Sequence, residues 1–156
     1  MTDARFEDGG DRAIRLTAMD LGDLEVMSAL TQDGLGKIAR CQWMPRRRRF
    51  SMLLYRFRWE DVERARRERR DYERVAAALV VDDVMKVRST GIDHRDKEAV
   101  FALLQIKFEP EEDGAGRLRL MCAEDVTFEF EVECLNVSLK DLTRPWAAGG
   151  EPQHFS

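Results

Sequence analysis

Hydrophobic and polar positions along this chain change period several times, and each change marks an element. Ile14 and Leu16 alternate with Arg15 and Thr17, the spacing of a short half-buried strand. Asp20 then offers a side-chain oxygen to an N-terminal cap. Leu21, Leu24, Met27 and Leu30 follow at helical spacing, with Gly34 and Gly36 as the stop, and predict a helix over 21–32. From Leu35 the period is two: Leu35, Lys37 and Ala39 fall on one face and Ile38 on the other, leading through Cys41 and Trp43 to a turn at Pro45. Phe50, Met52, Leu54 and Arg56 then alternate with Ser51, Leu53, Tyr55, Phe57 and Trp59. Both faces of that strand carry apolar bulk, which places it in the middle of a sheet or under a cover on its outer side. Residues 35–58 together predict a hairpin.

Residues 60–73 have Val62, Ala65 and Tyr72 as their only apolar positions, too few to bury a helix face, and predict an exposed helix or a flexible excursion. Residues 75–88 are apolar and β-branched with a break at Asp82-Asp83, where a bulge or tight turn suits the two carboxylates. After a loop at 89–98, residues 100–108 read as the antiparallel partner. Pro110, Gly114, Gly116 and a run of like charges make 109–116 a turn. Leu118 and Leu120 alternate with arginines, and Val126, Phe128, Phe130, Val132 and Cys134 alternate with Thr127, Glu129, Glu131 and Glu133, a strand with one buried and one acidic face. Leu135, Leu139, Leu142 and Trp146 suit a short closing helix or turn ended by Pro145, whereas Leu135, Val137 and Leu139 suit a strand continuing past a bulge.

These elements predict an α+β domain over residues 13–146, with a disordered tail at 1–12 and a flexible one at 147–156. Its sheet is expected to be mainly antiparallel and strongly curved, of about six to seven strands, as in a pleckstrin-homology-like roll, with one N-terminal helix and a short C-terminal helix.

The 156 residues suffice for one core, and 44% hydrophobic with 36% charged residues describes a globular chain with a heavily charged surface. No apolar run is long enough for a membrane span, and the N-terminus is acidic and glycine-rich where a signal peptide would be basic and then apolar, so a cytoplasmic location is expected. Cys41, Cys122 and Cys134 are odd in number and far apart, which argues against a disulfide framework or a zinc site.

Charge changes the picture in one place. Residues 45–74 hold twelve arginines against six acidic residues, in a chain whose net charge is −4. The blocks Leu16-Thr-Ala-Met-Asp20, Asp23-Leu-Glu-Val-Met-Ser-Ala-Leu-Thr-Gln-Asp33, Arg48-Arg-Phe50, Arg56-Phe-Arg-Trp-Glu60, Val87-Arg-Ser-Thr-Gly-Ile-Asp93, Val132-Glu-Cys134, Leu139-Lys-Asp-Leu142 and Pro145-Trp146 together resemble the bacterial family called domain of unknown function 2948, over residues 14–148. The family is mainly alphaproteobacterial and has no assigned activity, so the resemblance implies no catalytic, cofactor or metal residues.

The candidate chemistry therefore rests on the residues. Arg46, Arg47, Arg48, Arg49, Tyr55, Arg56, Arg58 and Trp59 form a candidate interaction surface, guanidinium groups with aromatic rings close by in sequence. The first expectation is a non-enzymatic, self-associating protein-interaction module that uses this surface, either as a homo-oligomer or with an unknown protein partner. Complementary charge on the acidic strand at Glu129, Glu131 and Glu133 would steer one copy to another. The alternative is single-stranded nucleic acid on the same residues, against which the pI near 5.4 weighs. A third class is a small-molecule enzyme or binder with a pocket near His94, which sits between Asp93 and Asp96 in a loop where an exposed turn histidine is the plainer expectation. Cys41, five residues from the arginines, is read as a buried strand cysteine. No nucleophile elbow, phosphate loop, dinucleotide fingerprint or metalloprotease motif occurs, and no catalytic residue, cofactor or metal site is expected.

Overall fold

The computed structural model describes residues 13–69 and 73–147 and the backbone of residues 153–154. The tails expected at 1–12 and 147–156 lie, apart from Ala147 and that short piece of backbone, outside the described residues. Strand β1 (Arg15–Ala18) leads into helix α1 (Leu21–Thr31), whose first turn is closed by the Asp20 carboxylate accepting the Asp23 N–H at 2.8 Å. Leu24, Met27 and Thr31 face inward from α1.

Strand β2 (Gly34–Lys37) meets a 3-10 turn at Ile38–Arg40, continues as β3 (Cys41–Met44), and turns again at Pro45–Arg47 into β4 (Arg49–Phe57). A short helix α2 (Val62–Arg67) precedes β5 (Glu73–Val81). Then come β6 (Val84–Thr90), β7 (Val100–Pro110), β8 (Gly116–Cys122) and β9 (Thr127–Val132). The chain closes with β10 (Val137–Asp141), β11 (Thr143–Arg144), β12 (Trp146–Ala147) and β13 (Gln153–His154).

The main sheet is antiparallel, with order β1-β10-β5-β4-β2-β7-β8-β9-β6, β12 beside β5 and β3 beside β4; β11 and β13 form a separate pair. Strand β4 sits centrally, as its two apolar faces required. Phe50, Met52 and Leu54 are buried while Ser51, Leu53, Tyr55 and Phe57 are half-covered. Strand β5 hands the chain to β6 across Asp82-Asp83, and the Val84 N–H donates to the Arg48 carbonyl at 2.9 Å. In the core the Phe50 ring lies 5.0 Å from Phe130, and the Phe101 ring 4.8 Å from Phe128. Gly36 pairs with Phe101 across β2 and β7, and the phenyl ring fills the space a side chain would take: a Cβ on Gly36 would lie 2.3 Å from it.

Helix α1 packs on β7 where that strand bulges between Leu103 and Gln105, and the Ser28 hydroxyl accepts the Ile106 N–H at 2.9 Å.

Two expectations are corrected. The main sheet has eleven strands in an open order, with β1 and β6 at its ends, rather than six to seven in a strongly curved roll. The 3-10 turns and the Asp82-Asp83 step cut long apolar runs into several strands, and β1 and β10 extend the sheet beyond β5. The short C-terminal helix is also absent. Residues 137–147 are strands because Val137, Leu139, Asp141 and Thr143 alternate inward. Among them Asp141 is buried, where a charged residue is ordinarily read as outward.

Asp141 is buried because Arg56 is. The Arg56 side chain is 0% exposed, and all five of its N–H donors are used. Nε and Nη2 donate to the two Asp141 oxygens at 2.9 and 2.8 Å. Nη1 and Nη2 donate to Glu60 at 3.0 and 2.9 Å, and Nη1 also to the Phe57 carbonyl at 3.0 Å. Burial alone would lower the guanidinium pKa, but the Glu60 and Asp141 carboxylates override it and hold the group above its ordinary value. Asp141 Oδ2 also accepts the Ile14 N–H at 2.9 Å, which pins the chain just before β1. Arg58, equally buried, pairs with Glu73 and lies 3.5 Å from Asp61.

Removing one partner from such a pair leaves an uncompensated charge in the interior. Asp141→Ala is expected to lower unfolding stability by about 3–5 kcal/mol in urea titrations, and a loss under about 1 kcal/mol would show that Arg56 reaches solvent instead.

Candidate ligand-binding cleft

The eight residues of the expected interaction surface are dispersed. Arg46 and Arg47 are exposed on the turn before β4. Arg48, in the left-handed region at φ 52°, pairs with Glu133, and Arg49 donates to Asp82 at 2.7 Å. Tyr55 lies about 20 Å further along β4 from Arg49 at the strand rise, and Trp59 follows just beyond the end of the strand. Arg56 and Arg58 point into the interior. The expectation that they belong to a surface is corrected by the alternation of β4, which continues inward through residues 50, 52, 54, 56 and 58.

The aromatic rings are themselves engaged. Arg40 donates to the Tyr55 hydroxyl at 2.7 Å, and the Trp146 ring meets Tyr55 at 90° with centroids 5.6 Å apart. The Arg74 guanidinium lies 3.7 Å over the Phe57 ring and donates to the Tyr55 carbonyl at 2.8 Å. Trp59 donates its indole N–H to the Gln32 carbonyl at 2.9 Å. A nucleic-acid base would have to displace these internal partners before it could stack.

The arrangement with the most to offer chemically lies between β3 and β6. In the main sheet β3 pairs only with β4, and β6 only with β9. Between them is a cleft of about 430 Å³. Cys41 and Trp43 line it from β3, and Val87 and Ser89 from β6; Phe50, Phe128 and Ile38 line it from the core side; His94 and Lys97 line it from the loop before β7. Its volume lies toward the lower end of the range for small-molecule sites, about 300–1,000 Å³. That loop is tied down by its backbone, for the Ala39 N–H donates to the Lys97 carbonyl and the Ile38 N–H to the Ala99 carbonyl, both at 2.9 Å.

The polar groups of the cleft differ in availability. Cys41 is half-buried, its thiol donates to the Lys37 carbonyl at 3.6 Å, and burial pushes its pKa up to about 11 against the pull of Lys97. It is the inert strand cysteine of the sequence reading. Ser89 makes no side-chain hydrogen bond among the described residues, and neither does His94, which is exposed as a turn histidine would be. Asp93 beside it accepts the Arg95 backbone and side-chain N–H groups at 2.9 and 3.2 Å, which hold its carboxyl below the usual range. No group of three or more His, Cys, Asp or Glu side chains is placed to hold a metal ion among the described residues, and none of the described helices is long and apolar enough to cross a membrane.

His94, beside which a small-molecule pocket was an expectation of the sequence, is among the lining residues, whereas no sequence signal marks Trp43, Ser89 or Lys97 for it. Iodoacetamide at pH 8 is expected to modify exposed Cys134 first. Cys41, its pKa raised from 9.0 to about 11, holds on the order of 100-fold less thiolate than an unperturbed cysteine. Peptide mass mapping showing Cys41 alkylated first would contradict its burial.

Comparison with curated proteins and with solved structures finds no match. A family model described as "Protein of unknown function (DUF2948)" matches residues 14–154. The cleft, the buried arginine pair and the antiparallel sheet around them all fall within that match, and the chain belongs to the DUF2948 family.

Proposed function

We propose that this protein is a non-enzymatic binding domain whose ligand is a small, largely apolar molecule seated in the cleft between β3 and β6. The observation that carries this is a cleft lined by β3 and β6, each with a single strand partner among the described residues, over an aromatic floor and with His94 and Lys97 in its lining. Apolar walls with a few convergent polar groups are the ordinary composition of a ligand site. Binding is favoured over catalysis because the one thiol in the cleft is held protonated by burial, and Ser89 has no hydrogen-bonded base to activate it.

Self-association is a second function, favoured by one observation. Arg46 and Arg47 are exposed on a projecting turn and form no ion pair with a described residue, whereas Arg48 and Arg49 are engaged by Glu133 and Asp82. Exposed carboxylates on the β7–β8 and β8–β9 turns, Glu112, Asp113, Glu124 and Asp125, supply complementary charge on another copy.

The neutral dye Nile red tests the first proposal. It is expected to bind the protein saturably with enhanced emission, and Ser89→Trp, which fills the cleft, is expected to abolish binding while leaving the far-ultraviolet circular dichroism unchanged. Undiminished binding by the folded variant would place the dye elsewhere and sink the cleft as its site. For the second, light scattering at low salt is expected to give a mass above that of the monomer. The excess should fall with added salt and be absent in the Arg46→Glu, Arg47→Glu double variant; a monomer at low salt overturns it.

A further inference from the structure

We infer that the ligand of the β3–β6 cleft is an apolar acid, a molecule with an aromatic or branched hydrocarbon body and one carboxylate, with Lys97 as its counter-charge; this rests on the cleft being the ligand site. No aspartate or glutamate lines the cleft, and Lys97 is its one permanently cationic side chain. The carboxylates nearest to Lys97 in sequence are already engaged. Asp93 is held by Arg95 at 3.2 Å, Asp96 accepts the Glu98 backbone N–H at 3.1 Å, and Glu98 pairs with Lys37 at 3.0 Å. Lys97 forms no ion pair among the described residues, so an entering carboxylate competes with none of their carboxylates for the ammonium group.

The body of the ligand follows from the walls. Trp43, Phe50 and Phe128 present rings, and Ile38 and Val87 present branched chains, with Phe50 and Phe128 tilted at 42° and 6.4 Å apart. Such a surface receives a planar or branched apolar group by area burial and edge-to-face contact. Ser89, whose hydroxyl has no internal partner, can donate to the second carboxylate oxygen. An amine would place like charges together at the mouth, and a neutral amide would leave the ammonium without an anion.

The backbone of Lys97 is anchored. Its carbonyl is fixed by the Ala39 N–H, which belongs to the same 3-10 turn that bends β2 away from β3 and supplies Ile38 to the cleft lining. One backbone contact therefore joins the loop that carries Lys97 to the turn that carries Ile38.

The experiment is displacement of Nile red from the full chain by 2-naphthoic acid, 2-naphthamide and 2-naphthylmethylamine, which share one apolar body. The acid is expected to displace the dye at a concentration about five- to tenfold lower than the amide, as a charge-assisted contact would give. That advantage should fall to within about twofold in Lys97→Gln, whose exposed loop position leaves the fold intact, and should shrink with added salt. Equal displacement by acid and amide, or preference for the amine, would overturn the acid as ligand while leaving the cleft a binding site. Failure of Nile red to bind the native protein would overturn the cleft and the acid together. An acid preference unchanged in Lys97→Gln would also overturn the inference, because the charge would then be recognised elsewhere.

Discussion

The constraint on which the rest of this fold depends is the burial of Arg56. A guanidinium cannot shed its charge at any ordinary pH, so an interior that contains one must supply acceptors for every N–H it carries. Here the acceptors come from two separated pieces of chain: the Phe57 carbonyl and Glu60 just after it, and Asp141 at the end of β10. Through Asp141 the same cluster reaches Ile14 and the start of β1. A purely apolar cluster of similar volume could be equally stable, since the cost of desolvating the charges offsets much of their attraction. It would not, however, distinguish one strand register from another. If β10 slipped by two residues against β5, the bidentate contact of Asp141 with Arg56 would be lost and an unpaired charge would remain in the core, so the ion cluster fixes which residues meet.

The cleft arises from the opposite condition, edges that find no partner. Strand β2 pairs with β7 on one side, but at Ile38–Arg40 the chain tightens into a 3-10 turn and β3 departs alongside β4 alone. Strand β6, whose Val84 N–H donates to the Arg48 carbonyl, pairs with β9 and has no second strand partner among the described residues. Two such edges are ordinarily a hazard for pairing between molecules. Here β3 is only four residues long, β6 carries Lys86 and Arg88 outward, and the loop with His94 and Lys97 stands at the cleft between them. An apolar ligand would cover the hydrophobic surface that the missing strand pairing leaves open.

Much of this architecture was legible in the sequence where one physical rule acts without competition. The Asp20 cap and the helix after it, the alternation of β8 and β9, and the central position of β4 all follow from periodicity. Asp141 and Thr143 were not legible, because a buried polar residue breaks the alternation unless its partner is known, and those partners, Arg56 and the Ala76 N–H, are 85 and 67 residues away. Arg56 and Arg58 were not legible for the same reason: an arginine-rich stretch looks like a surface when each charge is counted alone. The cleft was hidden more deeply. His94 was visible as a loop histidine and Cys41 as a strand cysteine, but nothing local relates Trp43 on β3 to Val87 and Ser89 on β6. Their relation is created by the step at Asp82-Asp83, where the turn was legible and its destination was not.

Strand β4 joins the two conditions. Its first inward residue, Phe50, belongs to the cleft, its middle residues Met52 and Leu54 to the common core, and Arg56 to the ion cluster. The pairing of residues 50–57 with β5 runs without a shift of register, so the position of Phe50 is set by the same ladder that Arg56 holds in place. A closely packed core transmits displacement poorly in gradual steps and resists it until packing fails. Loosening the ion cluster should therefore leave the shape of the cleft unchanged while the protein remains folded, and abolish it with the cooperative loss of the sheet. On the proposed reading, stability and recognition are consequently separable by residue, although they share a strand: the buried, fully paired Arg56 sets the register, and Lys97, which forms no ion pair among the described residues, would meet the ligand.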